Sequence, residues 1–137
     1  MSERHEFIVS ALARKIRTMG FEILFFEGNS ADIGTKKFDF PPKVLYHRPD
    51  LVGGNSSGYC IGEAKTENDL FSERTKEQIE SYLDFLVLNK NNKLVIGIPI
   101  DAKRDLERLL KNLGGYNSIQ VDIFSVPMEL LPYEEEI

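Results

Sequence analysis

The sequence predicts an α/β fold in which a mixed sheet is flanked by helices, and three observations carry that prediction. Phe7, Ile8, Ala11, Leu12 and Ile16 recur at the spacing of one helix face. Three β-favouring runs follow before the next helical segment, the last two joined by Gly53-Gly54-Asn55-Ser56-Ser57-Gly58, residues that suit a tight turn. Residues 94–100, Leu-Val-Ile-Gly-Ile-Pro-Ile, are almost unbroken apolar sequence, the mark of a central strand covered on both faces.

Each element has a local cause. Ser2 is a good helix N-cap and Gly20 stops the first helix. Residues 21–27 are rich in β-favouring aromatics and predict a strand. Residues 28–43 predict a loop, with Pro41-Pro42 breaking any helix. Residues 44–52 and 59–66 are the two strands of a hairpin. Ser72 or Thr75 caps a helix reaching about residue 88, with Ile79, Leu83, Phe85 and Leu86 on its buried side. Residues 89–92 form a turn before the central strand. Asp101 caps a helix to Leu113, which Gly114-Gly115 ends. Residues 119–126 are a last strand. The order is helix, three strands, helix, strand, helix, strand. Helical connections imply parallel pairing of the later strands, and the hairpin implies antiparallel pairing of the earlier ones.

Length and composition bound the function. A chain of 137 residues suits one domain, residues 1–137, and 42% hydrophobic residues suffice for one core. No apolar run approaches the roughly 20 residues that span a bilayer, so no membrane partner is expected. The opening Met1-Ser2-Glu3-Arg4-His5-Glu6 lacks the basic-then-apolar pattern of a signal peptide, and a cytoplasmic location is expected. The single cysteine, Cys60, forms no internal disulfide, builds no cysteine zinc site, and suits a small buried side chain. No phosphate-binding Gly-x-x-x-x-Gly-Lys loop is present, so no nucleotide cofactor is expected. A net charge of −5 argues against strong nonspecific DNA binding, although site carboxylates and the Glu134-Glu135-Glu136 tail supply part of the excess.

Asp50, Glu63 and Lys65 stand out. Side chains alternate along a strand, so Glu63 and Lys65 share one face while Gly62 and Ala64 share the other. A hairpin folds Asp50 back beside Glu63. Two carboxylates and an ammonium in apolar strands are costly unless they serve a site, and they suit a hard divalent cation with a phosphate or an attacking water. A surface ion pair between Glu63 and Lys65 is the plain alternative. Gln78 and Tyr82, four apart, share one helix face. Lys36, Lys37, Lys43, His47 and Arg48 are candidates for phosphate contact.

Pro49-Asp50 followed by Glu63-Ala64-Lys65 resembles the PD-(D/E)XK nuclease superfamily. Gln78-Ile79-Glu80-Ser81-Tyr82 resembles the Gln-x-x-x-Tyr signature of its RecB-like branch, and residues 6–12 resemble its acidic first helix. The resemblance covers roughly the first two-thirds of the chain. It implies a restriction-endonuclease-like αβββαβ core, here with a further C-terminal helix and strand. It also implies a Mg²⁺-dependent DNA endonuclease, with Mn²⁺ as substitute, of Holliday junction resolvase, restriction or mobile-element type. Asp50, Glu63 and the Ala64 carbonyl would be metal ligands. Lys65 would orient or deprotonate the water, and Glu6 would be the helical acid, with Glu3 its competitor. Gln78 would bind a phosphate oxygen or orient Lys65. Tyr82, Arg48, Lys36 and Lys37 would contact substrate.

Two symmetric cuts need two sites, so a homodimer is expected, built on the late strand and residues 126–131. A binding module on the same fold, without turnover, is the competing expectation. For Glu6 the plain alternative is a solvated first-turn glutamate. For Gln78 and Tyr82 it is half-buried residues of a packing helix.

Overall fold

The computed structural model describes residues 2–28, 38–39, 41–44 and 46–133. Helix α1 (Glu3–Thr18) opens the chain, with Ser2 as its N-cap accepting from the His5 amide at 3.1 Å. Strands β1 (Glu22–Phe26), β2 (Leu51–Gly54) and β3 (Tyr59–Ala64) follow. Helix α2 (Glu73–Val87), β4 (Lys93–Pro99), α3 (Lys103–Leu113) and β5 (Val121–Val126) complete the order.

The five strands form one open mixed sheet in the order β1-β2-β3-β4-β5. The first three strands pair antiparallel, whereas β3–β4 and β4–β5 are parallel. The fold is therefore α/β with a mixed sheet. Among the described residues no helix is long and apolar enough to cross a membrane.

Strand alternation sorts the core onto two faces. Ile8, Leu12 and Ile16 of α1 cover Cys60, Ala64 and Val95 on one face. Ile79, Tyr82 and Leu86 of α2, with Leu106 and Leu110 of α3, cover Ile61, Leu94, Ile96 and Ile98 on the other. Gly97 lets α1 lie close, since a Cβ there would meet the Ile8 Cγ2 at 2.7 Å and the Leu12 Cγ at 2.8 Å. Cys60 is wholly buried, and burial pushes its thiol up to about 12, so it is chemically quiet.

Three local expectations are corrected. The strand expected over residues 44–52 is only Leu51–Gly54. Val44 and His47 instead bond each other's backbone across a turn in which Tyr46 takes φ +84°. Gly53 and Gly54 belong to β2, and the Asn55 side chain closes the turn by accepting from the Ser57 and Gly58 amides. Asp101 lies in a short 3₁₀ turn, Ile100–Ala102, and Ala102 stands at the N-cap of α3 without a side-chain bond. Of the segment expected to support a dimer, Val126 and Leu131 are buried in the α1-side core and Met128 is half-buried, while Pro127, Glu129 and Leu130 are exposed.

Candidate functional site

The β2–β3 hairpin decides the site. Its register pairs Leu51 with Gly62, which sets Asp50 opposite Glu63 just past the paired residues. Lys65 follows β3, and its amide donates to the Gly97 carbonyl at 2.9 Å, extending the ladder by one residue. The carboxyl end of β3 therefore carries both Glu63 and Lys65. The N-terminus of α2, the connection to parallel strand β4, lies at the same end, the usual place for a ligand in an open α/β sheet.

The four polar side chains at the centre are nearly out of solvent: Glu63 is 3% exposed, Gln78 5%, Asp50 6% and Lys65 8%. They hold one another. The Asp50 amide donates to Glu63 Oε2 at 3.2 Å, and Asp50 Oδ2 accepts from the Ala64 amide at 2.8 Å. Lys65 Nζ stands 3.5 Å from Glu63 Oε1 and donates to Gln78 Oε1 at 2.5 Å. Tyr82 donates its hydroxyl to Glu63 Oε2 at 3.3 Å. Gln78 and Tyr82 do share one face of α2, and that face is turned onto the hairpin end.

Electrostatics single out Glu63. Burial holds its carboxyl well above the ordinary value, and the charge of Asp50 adds to this; Lys65 opposes both. Burial likewise pushes the Tyr82 phenol far up, so Tyr82 remains a hydrogen-bond donor at any ordinary pH. The expectation that Tyr82 offers its hydroxyl to a nucleic acid is corrected: the side chain is wholly buried and its hydroxyl is used on Glu63.

Asp50, Glu63, Lys65 and Gln78 line a cavity of about 700 Å³ that Arg48, Thr66, Asp69, Arg74 and Thr75 also border. Arg48 is an exposed residue of that lining. Lys36 and Lys37 lie outside the described residues. Glu6 is not brought to the cluster: it is exposed and does not line the cavity, and Glu3 is exposed as well. His5 occupies that position instead, its Nε2 3.2 Å from Asp50 Oδ2. Burial alone would lower the imidazole, but the hydrogen bond to Asp50 and the charge of Asp50 outweigh it and raise it above its ordinary value. Its Nδ1 is buried without a partner. Sequence reasoning missed His5, and also Arg74 and Glu27, which reach the cavity from the first turn of α2 and the end of β1.

The donor set can be tested for metal. Among the described residues no three His, Cys, Asp or Glu side chains are grouped to hold an ion. Two neighbouring carboxylates are present, and both are oxygen donors. Their proximity raises Glu63, an electrostatic cost that a dication at the pair would relieve. Mg²⁺ is commonly held by one or two carboxylates while keeping several waters, so Asp50 and Glu63, with the Ala64 carbonyl, suit it. Protein-family models, curated proteins and solved structures were compared with the chain, and none matches it.

Proposed function

We propose that the protein is a metal-dependent deoxyribonuclease with a restriction-endonuclease-like core. The order α1-β1-β2-β3-α2-β4 supports the αβββαβ assignment, with α3 and β5 as the C-terminal addition. One observation carries the reading: Asp50, Glu63 and Lys65 meet at the floor of a polar cavity, although nothing in the folding of a hairpin requires charged groups there. A bound Mg²⁺ or Mn²⁺ would supply charge at the scissile phosphate and a more acidic water.

The chain's own residues do the rest. Asp50 and Glu63 fix the acidic end, each anchored by a backbone amide of the other's neighbourhood. Lys65 presents an ammonium beside Glu63, where it orients the attacking water and stabilises the charge developing on the phosphate. Gln78 holds Lys65 in that position, and Tyr82 holds Glu63. Arg48 stands where a phosphate oxygen can be gripped.

Calorimetric titration with Mn²⁺ tests the reading. Wild type takes up the ion and Asp50→Asn loses that uptake. Absence of uptake by folded wild type would favour the non-catalytic binding module.

A further inference from the structure

Resting on the nuclease reading for the position of the scissile phosphate, we infer that the substrate is single-stranded nucleic acid, with Phe71 and Tyr46, each one or two residues from a cavity-lining residue, as base-stacking platforms.

Phe71 is 76% exposed and directly precedes Ser72, which lines the cavity. It ends the 3₁₀ turn Glu67–Phe71, and that turn is held firmly. Thr66 and Asp69 cap each other, with the Thr66 amide and hydroxyl donating to Asp69 Oδ2 at 3.1 and 2.9 Å. The Thr75 hydroxyl donates to the Asp69 carbonyl at 2.6 Å, and Leu70 is buried in the core. The turn buries the leucine and presents the phenylalanine to water in a fixed place.

Tyr46 is 89% exposed, two residues before cavity-lining Arg48. Its φ of +84° is uncommon for a bulky residue, and such backbone is kept where the surroundings hold it. Val44 and His47 supply that hold by bonding each other's backbone across Tyr46. The strained residue nonetheless buries almost none of its ring, so packing does not explain it.

Cations and aromatics together decide the substrate class. Phosphate contacts dominate duplex affinity, and their electrostatic part comes from Lys and Arg. Among the described lining residues the cations besides Lys65 are Arg48 and Arg74, both exposed, against a chain net charge of −5. Two guanidinium groups can grip phosphates beside the cut, and the net charge of −5 disfavours the many further phosphate contacts that a duplex invites. Stacking needs no charge and needs unpaired bases, which a single strand offers and a duplex withholds.

Fluorescence anisotropy with a labelled oligothymidylate and with a duplex, both in Ca²⁺, tests this. Wild type binds the single strand at least about tenfold more tightly than the duplex. Phe71→Ala and Tyr46→Ala each weaken single-strand binding by about 5- to 150-fold, the worth of one stacked base at 1.4 kcal/mol per tenfold, and leave duplex binding unchanged. Phe71→Trp retains binding and Phe71→Leu does not, which separates stacking from apolar bulk. Equal or tighter duplex binding, no binding of either probe, or indifference to both alanine variants overturns the inference. Because binding is read and not turnover, a protein that cuts duplex and ignores single strands fails here alone. One that binds single strands in this way without cutting them supports this inference and fails only the nuclease reading.

Discussion

Lys65 Nζ donates to Gln78 Oε1 at 2.5 Å, joining the end of β3 to the second turn of α2. The contact fixes a buried ammonium whose other neighbour is Glu63 at 3.5 Å. Gln78→Leu removes the acceptor and keeps the bulk, leaving Lys65 to settle on Glu63. Cleavage at saturating metal should fall by about 10- to 100-fold, the usual effect of a displaced catalytic group, and the metal midpoint should stay where it was. A moved midpoint with unchanged maximal rate would show that Gln78 serves the metal and not the lysine.

Tyr82 supplies the second tether. Tyr82→Phe keeps the ring packed against Ile61 and Ile96 in the α2-side core and deletes the bond to Glu63. Urea unfolding should register a loss of about 0.5–1.5 kcal/mol, the net worth of one buried hydrogen bond. A raised KM with unaltered stability would instead mean that the hydroxyl reaches substrate.

The buried acid gives the metal-free protein a pH signature. Glu63 is raised by burial and by Asp50, so the folded protein holds that proton more tightly than the unfolded chain. Its stabilising contribution is full below the ordinary value of 4.5 and fades as pH rises through the folded value. His5 is also raised, and its contribution fades from 6.5 upward. Thermal melts in EDTA should therefore show stability falling from weakly acid to neutral pH. Glu63→Gln should flatten the curve and raise the neutral melting temperature, by about 4 °C for each kcal/mol regained. A wild type that becomes more stable than the variant as pH rises would contradict this.

Much of this arrangement was legible because it rests on short-range rules. Alternation along β3 and the short turn after β2 were enough to bring Asp50 beside Glu63, and a separation of four put Gln78 and Tyr82 on one face of α2. What was not legible turned on rotation and on backbone geometry. Glu6 and His5 are neighbours in sequence but lie about 100° apart around the helix. The buried stripe of Ile8, Val9, Leu12 and Ile16 runs back to His5, so a strict count of the stripe favours the histidine over the more obvious acid. The strand assigned to residues 44–50 failed because the positive φ of Tyr46 turns the chain, which β-favouring composition does not reveal. The substrate role of Tyr82 failed because its complete burial depends on β3 and β4 meeting α2.

The most direct test of the account is the cleavage rate of wild type and Lys65→Met on single-stranded, duplex, flap and four-way DNA at increasing Mn²⁺. Wild type should cut at least one of them only with metal, and Lys65→Met should lose on the order of 10² to 10⁴ in rate without recovery at high Mn²⁺, while Glu63→Gln recovers in part as the ion is forced onto a weakened site. Wild type and Lys65→Met equally inert on every substrate, or excess metal restoring Lys65→Met and leaving Glu63→Gln dead, would contradict it.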